Sequence, residues 1–428
     1  MNKTIVILAT AFHPLKVIAT ERVSKFVRSF AKEGWNVIVI TIDDKNIKPK
    51  FYDNSRDSFL CKYNIKVIRV PHKFKEFYYI YEVNKNFSTY LLKILSKILF
   101  FFGVDNSIGW NKQVEKQIET ILKKEKIDLI LASGSPFMMF HVPYKINKKY
   151  KIPYILDFRD LWYAQPHGNK NIFQKLLSKY LEKKFMDNAK LVTTVSEGCK
   201  TKLLENTKNS SIEVLYNLPD EEYIKELENI REKSFDYDIG IDKNYINLVY
   251  TGTLYEGRDL SSIAKALSYM KKEEQNNIRV HYFGNQGSIA IQNFKKYDIE
   301  NLIINHGSVS KEESIIAMFQ SDILLSIIHN NEKSIDDNIK GIITTKIFDY
   351  ILIGKPTINI APVDNETRVL IRKLNVKNIN SFTANEVNNI IDYIRNIHHK
   401  SGLNILQNKF IDIWHIHFKE KIIKNLKG

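Results

Sequence analysis

Cysteine is almost absent: Cys61 and Cys199 are the two thiols in 428 residues. They cannot build a disulfide framework, and no CxxC pair or His-rich spacing suggests a metal site. A reducing compartment is the default. Long apolar runs are also missing, and nothing approaches the ~20 uninterrupted apolar residues of a membrane-spanning helix. The best stretch, 91–104, is broken by Lys93 and Lys97. Low-complexity tracts are missing too, and an aromatic content of 12% excludes a mostly disordered chain. Near the N-terminus, Lys3 and Ala9-Thr10-Ala11 imitate a signal peptide, but the apolar run between them is only 5–9. A buried strand fits that run better, so a cytoplasmic protein is expected. The length suggests two or three domains at about 150 residues each.

The charge is unevenly placed. The chain carries 64 basic and 48 acidic residues, a net +16. Residues 1–200 hold 35 basic against 18 acidic, whereas 201–428 hold 29 against 30. A Lys-rich composition decorating solvated faces would enrich both halves alike. The asymmetry points instead to an anionic partner of the first half, a membrane surface or a nucleic acid.

Along the chain, β-rich runs alternate with helical patterns. The run 4–10 is followed by the His13-Pro14 loop signal, then by a helical pattern with Val23, Phe26, Val27 and Phe30 on one face. After Gly34, residues 36–41 read as a second buried strand, giving the strand–helix–strand unit of a parallel sheet. Runs at 67–70, 129–132, 154–157 and 191–195 continue the series. Between 217 and 244 hydrophobicity falls and charge rises, which reads as a linker. A second series follows, with strands expected at 246–250, 279–283, 302–305, 323–327 and 356–360. The expected fold is α/β: two doubly wound Rossmann-like domains facing a cleft at their strand ends. The expected domains are 1–216, a linker 217–244, 245–402, and a final helical segment 403–428.

Two helical stretches of the first half are both basic and apolar. In 90–104, Lys93, Ser96 and Lys97 form a narrow polar edge beside Ile98 to Phe102. In 172–190, Lys175, Lys179 and Lys183 recur every four residues beside Phe173, Leu176, Leu177 and Tyr180. Each could cover a sheet or lie in a membrane interface.

Three segments carry chemistry. In TGTLYEGRDL (251–260), Gly252 lets the backbone approach a ligand and Arg258 opens the next helix. Backbone N–H groups and a guanidinium suit a diphosphate, although a plain β–α turn with a solvated Arg has the same pattern. In TTKIFDYILIGKP (344–356), Lys346 and Asp349 share a helix face. The cation could meet a phosphate and the carboxylate two sugar hydroxyls; an i,i+3 salt bridge is the alternative. In LDFRDLW (156–162), Asp157, Arg159 and Asp160 would project into the cleft from a strand end, or Arg159 would tie down the loop. His13, Glu21 and Arg22 would face the same cleft.

The ordered series AFHP, TERV, SGSPF, DFRDLW, TVSEG, YTGTLYEGRD, FGNQG, HGSVSKEE and TKIFDYILIGKP resembles retaining glycosyltransferases of family 4, with the GT-B fold. It is especially similar to the bacterial branch that builds capsule and O-antigen polysaccharides. The resemblance runs over nearly the whole chain and implies a C-terminal helix, near 410–426, that crosses back to the first domain. It implies that Gly252, Thr253 and Arg258 belong to the donor-diphosphate segment, with Arg258 in place of the family Lys and Thr253 in place of the family Arg. Asp349 takes the position of the acid that holds the nucleotide ribose, whereas Gly341 stands where the first family acid is expected. Lys346 matches a Ser-Lys variant, and Gly284, Ser308 and Val309 correspond to nucleobase-contacting turns. Arg258, Lys346 and Asp157 are the catalytic candidates, and His13, Glu21, Arg22, Arg159 and Asp160 are the acceptor-side ones.

The implied reaction is metal-independent, retaining transfer of a hexosyl group from a nucleotide-sugar to an acceptor hydroxyl, without a protein nucleophile or a cofactor. The acceptor is expected to be lipid-linked, with the protein peripheral on the inner face of the cell membrane. A nucleotide-sugar epimerase on the same fold is the rival enzyme, but it needs no membrane acceptor. A catalytically degenerate or nucleic-acid-binding protein is the rival outside enzymes. No recognised nucleic-acid module accompanies the basic half, so no nucleic-acid partner is expected.

Overall fold

Parallel strands buried on both faces read as continuous apolar runs, and that is how both sheets of this protein are written. A computed structural model describes residues 2–427, apart from residues 16, 44, 46, 50–62, 64, 75–79, 83–86, 165–169, 220, 335–336 and 400–412. The chain forms two units, Met1–Asn217 with His415–Gly428, and Leu218–Trp414.

The first unit holds seven parallel strands in the order β3-β2-β1-β4-β5-β6-β7. They are β1 (Thr4–Leu8), β2 (Asn36–Ile42), β3 (Lys66–Val70), β4 (Leu129–Gly134), β5 (Tyr154–Phe158), β6 (Leu191–Thr194) and β7 (Ile212–Val214). Strand β1 pairs with β2 in the register Ile5↔Val37 and with β4 in the register Ile5↔Leu129, and its apolar run is fully buried. Helix α1 (Ile18–Lys32) buries the expected stripe of Val23, Phe26, Val27 and Phe30. Two further helices, α2 (Phe87–Phe101) and α3 (Ile172–Met186), fall in the basic stretches.

The chain end belongs to this unit as well. A helix, α6 (Ile413–Phe418), continues through a π-helical turn at Lys419–Ile423. Phe418 is buried edge-on between Phe26 and Phe30, with ring centroids 6.4 and 4.9 Å away. Lys421 bonds Glu213 at 2.8 Å, and His415 and Lys419 reach Glu33 at 3.1 and 3.2 Å. Phe410, expected within this helix, lies outside the described residues.

The second unit holds six parallel strands in the order β10-β9-β8-β11-β12-β13. They are β8 (Ile246–Thr251), β9 (Ile278–Phe283), β10 (Ile303–Gly307), β11 (Ile323–Ile327), β12 (Thr357–Ile360) and β13 (Ile379–Phe382). Each sheet reverses its winding once, between β1 and β4 in the first and between β8 and β11 in the second. Such reversals are where ligands bind in open α/β sheets.

The stretch 217–244 departs from the expected linker. Most of it forms helix α4 (Glu221–Ser234), packed within the second unit. Ile224, Leu227 and Ile230 make a three-residue-spaced stripe that is buried, while Lys225, Glu228 and Asn229 stay in water. Three apolar side chains in a charged background lower the mean hydropathy without removing the face that packs.

Candidate functional site

In the second unit, the segments singled out by sequence gather at the carboxyl ends of neighbouring strands. Gly252 follows β8, Gly284 follows β9, and Ser308 and Val309 follow β10. Gly252 has φ +125°, which a side chain disfavours, and a Cβ there would collide with Lys346 Nζ. Gly284 donates its N–H to the Gly307 carbonyl at 2.8 Å, so these two turns are tied edge to edge. Thr253 and Ser308 are exposed and Val309 is half-buried.

Arg258 and Lys346 meet beside Gly252. The Tyr255–Arg258 turn closes through reciprocal backbone hydrogen bonds of 3.1 and 2.9 Å. The Arg258 guanidinium lies against the Tyr255 ring, 5.7 Å from its centroid, and Nη2 reaches Thr344 Oγ1 at 3.5 Å. Its Nε is buried without a partner, a donor placed for a group that this fold does not itself supply. Lys346 is the first residue of helix α5 (Lys346–Ile353). Its ammonium donates to the Thr251 carbonyl and lies 5.6 Å from the Tyr250 ring centroid. Burial, reinforced by the Arg258 charge, pushes the Lys346 pKa down to about 8. Two cations held together, one of them already depressed, make a site that gains by taking up an anion.

Asp349 stands one turn along α5. Its Oδ1 accepts a 2.8 Å hydrogen bond from the Tyr223 hydroxyl of α4. Lys311 lies 4.5 Å from the Tyr223 ring centroid. Tyr223 was not legible as a site residue because it sits in the segment read as a linker, 126 residues from its partner. Just before α5, Asn365 Nδ2 bonds the carbonyls of Ile339, Lys340 and Ile342 at 2.7, 3.3 and 3.2 Å. Those bonds fix the turn that carries Gly341.

In the first unit the candidates separate. Asp157 does not project into solvent; it is fully buried. Arg22 Nη2 and Nε bond its carboxylate at 2.7–3.1 Å, Ser133 Oγ bonds it at 2.6 Å and Thr193 Oγ1 at 2.7 Å. Burial opposes the charge on Asp157, but the Arg22 guanidinium and these donors hold its pKa below the usual carboxylate value. Arg22 is itself buried and also bonds the Leu215 carbonyl and Asn217 Oδ1 at 2.8 and 2.9 Å. His13 is buried against Ser24 Oγ at 2.9 Å. Arg159 bonds the carbonyls of Gly134 and Ser135, so it ties down the loop. Glu21 is partly exposed and Asp160 exposed. Among the described residues, no group of three His, Cys, Asp or Glu side chains could hold a metal ion.

Residues 19–223 match the family model Glycosyltransferase Family 4. The finding favours a glycosyltransferase. Solved structures similar to the whole chain share the GT-B architecture. Sucrose-phosphate synthase from Thermosynechococcus elongatus is 10% identical, with a TM-score of 0.58 over 99% of this chain and 95% of that one. The lipopolysaccharide outer core galactosyltransferase WaaB is 13% identical, with a TM-score of 0.54 over 99% of both chains. Anabaena HepE, solved in complex with UDP and glucose, is 12% identical, with a TM-score of 0.52 over 99% of this chain and 97% of that one. At such identities the likeness concerns the fold alone. No curated protein matches the sequence significantly.

Three expectations follow from the geometry. Asp157→Ala strands the buried Arg22 charge and should cost about 3–5 kcal/mol in denaturant unfolding. Because the folded pKa of Asp157 lies below its unfolded value, its contribution is present above the unfolded pKa and lost as pH falls through the folded one. In Asp157→Asn the acid-induced loss of stability below about pH 4 should therefore be shallower than in the wild type. Asp349→Ala should weaken nucleoside-diphosphate binding by roughly 1.5–3 kcal/mol in calorimetry with UDP and GDP. Unchanged affinity would leave Asp349 with a structural role, as the acceptor of the Tyr223 hydroxyl.

Proposed function

We propose that the protein is a retaining, metal-independent hexosyltransferase that moves a sugar from a nucleotide-sugar to a lipid-linked acceptor hydroxyl in bacterial surface-polysaccharide biosynthesis, of the capsule or O-antigen kind. The observation that carries this reading is the half-buried Arg258–Lys346 pair beside Gly252, with an unpartnered, buried guanidinium Nε–H and the Asp349 carboxylate one helical turn away. Arg258 and Lys346 receive the donor diphosphate and stabilise charge as it leaves, the electrostatic role with most effect on rate. The Tyr223 hydroxyl already donates to Asp349 in the manner of a ribose hydroxyl, so the nucleotide shares or replaces that bond. Gly284, Ser308 and Val309 line the nucleobase side. The similarity to a UDP-bound structure favours a UDP-type donor.

On the acceptor side, Glu21 and Asp160 are the candidates that reach the surface, while His13, Arg22, Asp157 and Arg159 hold their shape from within. The basic first half draws the protein to the anionic inner face of the cell membrane, at about 1 kcal/mol for each Lys near the surface.

Nucleotide release from a panel of UDP- and GDP-sugars, with and without lipid extract, tests the reading. Release from one donor, raised by lipid and unaffected by chelator, is expected, with the product anomer matching that of the donor. Epimerised donor without acceptor, or binding without turnover, would replace the transferase by one of its rivals. Arg258→Ala should lose on the order of 3 kcal/mol of transition-state stabilisation at saturating donor; a near wild-type rate in the folded variant would remove Arg258 from the site. Lys346 gives a pH signature. Phosphate binds its charged form, so nucleotide affinity should fall as pH rises through about 8 or somewhat above. Calorimetry of Lys346→Met should show that slope flattened.

A further inference from the structure

Helix α2 wears its apolar stripe on the outside. Phe87, Leu91, Ile94, Ile98, Phe101 and Phe102 recur at helical spacing on one face, and all are exposed, Phe87 to 76%. The opposite face, through Thr89, Leu92, Ser96 and Leu99, is the one turned toward the protein. Helix α3 repeats the pattern, with Ile172, Leu176 and Tyr180 each 61% exposed. The two helices are joined at one end. Asn171 Nδ2 bonds the Phe101 carbonyl at 2.8 Å and Gln174 Nε2 the Phe100 carbonyl at 2.7 Å. The Phe173 ring sits 5.9 and 5.7 Å from those of Phe101 and Phe102. The exposed side chains therefore form one continuous surface, far from the scattered single apolar residues of an ordinary exterior.

The charge beside that surface selects its occupant. Lys93, Lys97, Lys175 and Lys179 are all exposed along its flanks. Residues 87–102 contain no acid, and Glu182, the single acid of α3, is buried. A second copy of the same face would bring lysine against lysine. An anionic bilayer offers both a counter-charge and an apolar phase. Among the described residues no helix is long and apolar enough to cross a membrane. We infer that α2 and α3 insert together, as a two-helix wedge, into the boundary between headgroups and acyl chains of a bilayer containing anionic lipid. The inference deepens the membrane part of the proposed function and rests on it. It changes the character of the contact: lysines orient the protein, and the apolar stripe holds it.

The test uses the full chain with vesicles of phosphatidylcholine and phosphatidylglycerol. Flotation should show binding that weakens with salt but persists at high salt, because screening reaches only the lysine contribution. Leu91→Ser with Ile94→Ser and Ile98→Ser, all at exposed positions, should lower partitioning at least about tenfold at either salt. Its thermal melting and its UDP affinity should match the wild type. Tryptophan fluorescence of Phe101→Trp should be quenched by brominated acyl chains more strongly than that of the parent. Complete release of the wild type by salt would leave only an electrostatic dock and overturn the wedge. Unchanged partitioning of the triple variant would overturn it as well. A dilution-dependent dimer, lost in the triple variant and without vesicle binding, would assign the surface to a second copy. Donor turnover judges the transferase reading separately, so either idea can fail while the other stands.

Discussion

A carboxylate taken completely out of water needs every lone pair answered, and the answer given to Asp157 organises the first unit. Arg22 reaches it from α1, Ser133 from β4 and Thr193 from β6, on either side of its own strand. The same guanidinium bonds Leu215 and Asn217, where the chain leaves the sheet. Four elements and one exit are thus referred to a single buried ion pair. Such a pair adds little net stability over an apolar packing, but breaking half of it is costly, so it holds one arrangement against others. His13 and Arg159 lie next to this centre and have structural partners of their own. The carboxyl ends of β4 and β5 are thereby held in one arrangement, and of the acceptor-side candidates Asp160 is exposed and Glu21 partly so.

The sheets were legible because both-face burial leaves apolar runs that need no partner to be recognised. The donor-side constellation was legible for a related reason: Gly252 with Arg258, and Lys346 with Asp349, sit within single short segments. What the sequence hid was distance. Asp157 finds its counter-charge 135 residues away and Asp349 its tyrosine 126 residues away. No local pattern announces such pairs, so Asp157 read as a surface carboxylate and Tyr223 as part of a linker. Helix α4 was missed because three buried side chains were outnumbered by charge.

Amphipathic helices pose a different problem. Periodicity shows that α2 has an apolar face, but not whether that face meets the sheet or the solvent. Most helices of α/β domains resolve this toward the sheet. In α2 the half-buried side carries a threonine, a serine and two leucines, and the richer face is left outside. Only the folded arrangement distinguishes the two orientations.

The contact between Gly252 and Lys346 has a consequence for how this protein can drift. The residue at 252 is held to glycine by its backbone angle, and a Cβ there would in addition push the flexible Lys346 ammonium away from the Thr251 carbonyl. Shortening position 346 would relieve the second constraint while leaving the first. The two positions, 94 residues apart in sequence, should therefore behave as a linked pair among descendants of this chain. Loss of the lysine should leave glycine in place at 252, because a φ of +125° lies outside the left-handed region that asparagine tolerates, whereas a side chain gained at 252 would displace the ammonium of Lys346.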